Sequence, residues 1–258
     1  MSLFVFDIET IPDVDGGRRL YGLDGLSDSD VGKAMQQKRR QESGSDFLRP
    51  HLHRIVAISM VMCQDDSVRV WSLGEPDSSE HELIRQFFGG IAKYTPTLVS
   101  WNGGGFDLPV LHYRTLLHGI SAPRYWETGE NERDFRWDNY LNRFHWRHID
   151  LMDVLAGYQA RAVAPLDEIA TLLGFPGKLG MHGGKVWEAY QAGDIVGIRN
   201  YCETDVLNTY LIYLRFQLIR GVLSEADYQR DCERLRQSLQ AQQQAHLDEF
   251  LNAWQAEN

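Results

Sequence analysis

Five side chains in three short words carry the chemistry this chain could do. They are Asp7 and Glu9 in Phe6-Asp7-Ile8-Glu9-Thr10, Asp107 at the end of Asn102-Gly103-Gly104-Gly105-Phe106-Asp107, and Tyr201 with Asp205 in Tyr201-Cys202-Glu203-Thr204-Asp205. Carboxylate oxygens are hard ligands, and four acids gathered in one place repel one another unless divalent cations neutralise them. The run Leu3-Phe4-Val5-Phe6 reads as a strand buried on both faces, and strand side chains alternate, so Asp7 and Glu9 would share a face. Tyr201 and Asp205, at i and i+4 of a helical stretch, would stack on one side of it. Each word alone has an ordinary reading. Asp-x-Glu at a strand end is common, Asp107 two residues before Pro109 suits a helix N-cap, and Asp205 suits a solvated helix face.

Bringing these words together needs a scaffold, and the periodicity supplies one. Residues 3–8 read as the first strand, a Gly- and Asp-rich connection (13–30) leads to a basic helix around 33–40, and strands follow at 53–63 and 68–72. Leu83, Ile84, Phe87, Phe88 and Ile91 form the apolar stripe of a helix over 79–93. A strand at 97–101 then meets a turn of three glycines, expected to be mobile, and Asp107 opens a helix to about 117. Segment 125–147 interleaves Trp126, Trp137, Tyr140, Phe144 and Trp146 with Arg133, Arg136, Arg143 and Arg147. That composition suits either gripping a single strand or packing a small cluster of its own.

From Asp150, itself expected to cap the next helix with His148 as a strand residue, the pattern is helical over 151–159, 165–173, 186–191 and 194–219. The intervening Gly-rich loop (174–184), with Lys178 and His182, fails the Walker spacing because Leu179 stands where a glycine is needed and Val186 is neither Ser nor Thr. The tail opens on a Ser224–Asp227 cap and places Leu235, Leu239, Leu247, Phe250 and Leu251 on an amphipathic helix that packs on the domain or on a partner.

At 258 residues, 43% hydrophobic and 24% charged, the chain has room for one large core or a core with an appendage. A net charge of −10 argues against coating nucleic acid with the whole surface, though not against gripping a few nucleotides. The longest apolar run, 55–63, falls far short of the roughly 20 residues that span a bilayer, and no basic leader precedes the first strand, so a cytoplasmic protein is expected. Cys63, Cys202 and Cys232 show neither a CxxC nor a His spacing, which supports neither a disulfide framework nor a zinc knuckle.

In this order and setting, the three words resemble the motifs of the DEDD superfamily of 3′-to-5′ exonucleases. Tyr201 stands four residues before Asp205, and Asn200 occupies the place where the histidine subclass carries its histidine, so the likeness is to the tyrosine (DEDDy) subclass. Thr10, Trp101 and Cys202 beside the motifs look most like the proofreading domain of family B DNA polymerases and the stand-alone bacterial PolB-like exonucleases. The resemblance implies an α/β, ribonuclease H-like mixed sheet of about five strands with flanking helices. That domain would span 1–220, followed by a C-terminal helical extension over 221–258 that packs on the domain, a second copy or a protein partner.

The resemblance also implies a metal-dependent exonuclease that hydrolyses the 3′ end of single-stranded DNA, with RNA left as the alternative, and releases nucleoside 5′-monophosphates with two Mg²⁺ or Mn²⁺ ions. Asp7 would bridge both ions, Glu9 and Asp205 would hold the nucleophile-side ion, and Asp107 would hold the other largely through water. Tyr201 would orient the attacking water, since a phenol of pKa about 10 is a poor base at neutral pH. Thr10, Ile11, Asn102 and Phe106 would meet the terminal nucleotide, with Asn102 reading equally as a turn residue and Phe106 as a core one. A second reading is a catalytically weak nucleic-acid-binding or partner-recruiting module on the same fold. All four acids and Tyr201 are present, which favours the enzyme.

Overall fold

The computed structural model describes residues 2–256, in which five strands form one mixed sheet. In chain order they are β1 (Leu3–Pro12), β2 (His53–Gln64), β3 (Ser67–Ser72), β4 (Thr97–Ser100) and β5 (His148–Asp150), and in space they run β3-β2-β1-β4-β5. β1, β2 and β3 are antiparallel neighbours, while β4 and β5 run parallel to β1. The chain is thus the expected α/β fold with a ribonuclease H-like sheet.

Alternation along β1 decides which side of the sheet is functional. Phe4, Phe6 and Ile8 pack on the helices Glu80–Tyr94 and Asp107–His118, through Leu83, Phe87, Leu108 and Leu111 among others. Val5 points the other way, toward Val206, Leu207 and Leu211 of the long helix Ile195–Ile219. Asp7 and Glu9 keep the phase of Val5 and so face the long helix. β1 runs four residues beyond the expected end at residue 8 because β2 pairs with it as far as Pro12–His53. Within that pairing Glu9 opposes Ala57 and Thr10 opposes Ile55, leaving Val56 as a bulge on β2 beside Glu9.

Two other stretches differ from the sequence reading. The 13–30 connection contains the helix Val14–Tyr21, capped by Asp13. Its Gly16-Gly17 pair lowers helix propensity, but a Cβ at Gly17 would overlap Met35 of the neighbouring helix Asp28–Ser43. The tail is two helices, Glu225–Gln242 and Ala245–Ala256, because Gln243 adopts a left-handed conformation (φ 52°) and ends the first. The break lets both segments pack on the long helix: Leu235, Leu239, Leu247, Phe250 and Leu251 are all buried in its cluster. Ser224 and Asp227 form the expected capping box. Among the described residues, no helix is long and apolar enough to cross a membrane.

Candidate active site

The site forms where β1 loses a neighbour. Pairing between β1 and β4 runs from Leu3–Thr97 to Val5–Val99 and stops. Beyond it the backbone N–H of Ile8 donates to Asp107 Oδ1 at 3.1 Å, so the first residue of the Asp107–His118 helix fills the hydrogen-bonding place that a longer β4 would have taken. One oxygen of Asp107 is committed in this way, and the side chain is buried. On the other flank Asp7 lies opposite Ser59 and Glu9 opposite Ala57, small residues that leave room for the long helix. That helix brings Tyr201, Cys202 and Asp205 over β1. Cys202 Sγ donates to Asp7 Oδ2 at 3.6 Å, and the ligand atoms of Asp7, Glu9 and Cys202 lie within 4.8 Å of one another. One turn on from Tyr201, Asp205 stands near enough for its charge to act on the Tyr201 phenol.

Asp7 and Glu9 each feel the charges of Asp107 and Asp205. Burial, then Asp107, Glu9 and Asp205, hold Asp7 well above the usual carboxylate range. Burial, then Asp205 and Asp107, do the same to Glu9. Burial pushes Asp107 up to about 7 and Asp205 up to about 6. Lys178, from the Gly-rich loop, pulls Glu9 and Asp205 the other way without cancelling the rise. Burial and the neighbouring acids also keep the Tyr201 phenol and the Cys202 thiol protonated. A buried acidic cluster so short of positive charge is where a divalent cation would reverse the balance. The donors that remain are carboxylate oxygens, since a protonated Cys202 is a hydrogen-bond donor rather than a thiolate ligand. This set fits a hard cation.

The glycine turn before Asp107 is held, contrary to the expectation of mobility. Asp150 Oδ1 accepts from the Asn102 N–H and Oδ2 from the Gly104 N–H, both at 2.9 Å. Asn102 itself is left-handed (φ 63°), and its carbonyl accepts from Gly105 and Phe106. The glycines supply room rather than freedom: a Cβ at Gly103 would overlap Ser100, and one at Gly105 would overlap the Asn102 side chain. Asp150 also caps the following helix through the Asp153 N–H, and His148 is a β5 residue bonded to Ser100 Oγ at 2.8 Å.

Of the residues expected to meet a terminal nucleotide, Thr10, Ile11 and Phe106 line a cavity of about 310 Å³ that also reaches Glu9. Asn102 stands apart, in the turn. Ile11 belongs mainly to a buried cluster with Ile198, Tyr201 and Cys202. Sequence reasoning did not single out Phe47, His53 and Trp187, which also line this cavity, or the contact of Cys202 with Asp7. None of these carries a motif, and the only available signal was the position of Cys202 between Tyr201 and Asp205. The 125–147 segment does not form a cluster of its own: its buried rings join the core of Phe4, Phe88 and Leu98, while Trp126, Trp137, Phe144 and Trp146 stay exposed. Tyr125, Phe135 and Tyr140 are buried, Arg147 lies 4.4 Å from the Phe135 ring centre, and the Tyr140 hydroxyl donates to the Pro96 carbonyl. That bond lies just before β4 begins, at the opposite end of the strand from Asp107.

One comparison with known proteins bears on this arrangement. The family described as "Predicted 3'-5' exonuclease related to the exonuclease domain of PolB" matches residues 45–254, a stretch that includes Asp107, Tyr201 and Asp205 and begins after Asp7 and Glu9. No curated protein matches the chain.

Proposed function

Because this chain belongs to the family of predicted 3′-5′ exonucleases related to the exonuclease domain of PolB, we propose that it is a metal-dependent exonuclease that removes nucleotides from the 3′ end of single-stranded DNA. The observation that supports the reading is the closeness of Asp7 and Glu9, whose ligand atoms lie within 4.8 Å, together with the charges of Glu9, Asp107 and Asp205, each of which raises the proton affinity of Asp7. An acidic cluster without matching positive charge has little structural use, whereas it suits a pair of divalent cations.

In this reading Asp7, Glu9, Asp107 and Asp205 hold two Mg²⁺ or Mn²⁺ ions. When bound, such ions supply Lewis-acid stabilisation of the phosphate and lower the pKa of water. The chain's own groups do the rest. Tyr201, kept protonated, donates a hydrogen bond and orients the attacking water rather than removing its proton. Lys178 places a positive charge beside Glu9 and Asp205, where charge develops on the phosphoryl oxygens. Water adds to phosphorus, the bond to the penultimate 3′ oxygen breaks, that oxygen takes up a proton, and a nucleoside 5′-monophosphate leaves. Glu203 and Cys202 remain outside this chemistry: Glu203 accepts from Ser72 Oγ at 2.7 Å, and Cys202 props Asp7 from behind.

The test is incubation with 5′-labelled single-stranded DNA and RNA in Mn²⁺, in Mg²⁺ and in EDTA. A ladder that shortens one nucleotide at a time and disappears in EDTA is expected, with DNA preferred. Immediate internal fragments, or activity indifferent to EDTA, would exclude the reading.

A further inference from the structure

The cavity beside Glu9 contains a hydrogen-bonded pair whose polarity can be deduced. His53, buried at the start of β2, bonds through Nε2 to the Leu48 carbonyl at 3.1 Å and through Nδ1 to Thr10 Oγ1 at 2.8 Å. A carbonyl only accepts, so Nε2 carries a proton. Burial lowers the ring to about 4, so at neutral pH the imidazole is uncharged and Nδ1 is an acceptor. The Thr10 hydroxyl must therefore donate to it. A hydroxyl has one proton, and with that proton committed Thr10 offers the cavity only lone pairs.

Around this pair stand two rings. Phe106 meets His53 at 5.0 Å, and Phe47 meets both, at 5.2 Å from Phe106 and 5.3 Å from His53. Phe47 is 58% exposed. Its backbone is nevertheless fixed, with the carbonyl accepting from Arg39 Nε at 3.1 Å and the N–H donating to Ser45 Oγ at 3.2 Å. A held, exposed aromatic beside a pocket of this size suits a flat ligand.

We infer that His53 is a positioning residue that turns Thr10 into an acceptor for the 3′-hydroxyl of the terminal nucleoside, and that Phe47 stacks against the base of that nucleoside. The inference rests on the exonuclease reading above. A 3′-hydroxyl supplies the donor that Thr10 lacks, whereas a 3′-deoxy end supplies none. The cavity also reaches Glu9, so a nucleoside seated there carries its phosphate toward the acids.

The test compares kcat/KM on single-stranded DNA ending in a 3′-hydroxyl or a 2′,3′-dideoxynucleotide, in Mn²⁺, for the wild type, Thr10→Val, Thr10→Ser, His53→Leu and Phe47→Ala. The wild type should favour the hydroxyl end by roughly fivefold or more. That preference should fall to near unity in Thr10→Val and His53→Leu and survive in Thr10→Ser. Phe47→Ala should raise KM by roughly tenfold on both ends while keeping their ratio. An undiminished preference in Thr10→Val, or a wild-type KM in Phe47→Ala, overturns the inference. His53 is buried, but Thr10→Val is close to isosteric and Phe47 is exposed, so these two decide the matter even if His53→Leu does not fold. Wild-type enzyme that cuts both ends equally well overturns the inference alone. Wild-type enzyme that cuts neither end refutes the exonuclease reading and this inference with it.

Discussion

Asp7 and Tyr201 lie in one site yet would fail differently. Asp7 is the acid on which Glu9, Asp107 and Asp205 all act, so Asp7→Ala should remove activity by about a thousandfold or more. Tyr201 contributes a hydrogen bond through a phenol that stays protonated, and Tyr201→Phe should leave a measurable remainder, a loss of roughly a hundredfold. Single-turnover rates would separate the two, and equal losses would contradict this division of labour. Lys178 gives a third case. Its charge lowers the proton affinity of Glu9 and Asp205, so Lys178→Met should move the acidic limb of the kcat/KM profile to higher pH. A profile that only drops in height would assign Lys178 to substrate contact alone.

Among the elements, the turn 102–106 and the C-terminal pair of helices carry the sharpest expectations. Gly103→Ala places a methyl against Ser100 and must push the turn away from Asp150, so activity should fall well before thermal stability does. Phe250 is fully buried against the long helix, and Phe250→Ala should cost about 3–5 kcal/mol in denaturant unfolding. A loss under about 1 kcal/mol would mean that the final helix is a loosely held appendage. These elements also show what the sequence revealed. The strands at 53–63 and 68–72 and the helix over 194–219 were legible within a residue or two, because apolar periodicity there is set by burial on a known number of sides. The helix Val14–Tyr21 was hidden by glycines that a neighbour requires, and the end of the tail's first helix at Gln243 depends on a backbone angle that glutamine does not announce. Within the site, motif residues could be read because a charge on an apolar strand or helix stands out. His53 and Phe47 could not, since they matter only through contacts with Thr10 and Phe106, 43 and 59 residues away in sequence.

For the molecule as a whole, the acids and the buried histidines make opposite contributions to stability. His53, His112 and His148, each lowered to about 4 from an ordinary value of 6.5, bind fewer protons when folded, so they add stability as pH rises toward 6.5 and nothing further above it. Asp107, raised to about 7, and Asp7 and Glu9, also raised, bind more protons when folded, and the effect of Asp107 continues above that point. Metal-free protein should therefore lose several degrees of Tm between about pH 6.5 and pH 8. Millimolar Mn²⁺ or Mg²⁺ should abolish or reverse that slope, because cation and proton compete for the same oxygens. Scanning calorimetry in EDTA and in Mn²⁺ would show this, and parallel curves would argue against a cation at the acids. The unbroken helix Ile195–Ile219 adds a constraint of another kind. It presents Tyr201 and Asp205 to the site and, further along, Arg215 to the Tyr228 hydroxyl of the terminal hairpin at 2.9 Å, while His246 of that hairpin reaches back to Glu203 at 2.8 Å. Removing one residue between Asp205 and Arg215 would rotate the two ends relative to each other by about 100°. The helix is therefore an index shaft: substitutions along its middle are survivable, whereas a change in its residue count would unship either the acids or the hairpin.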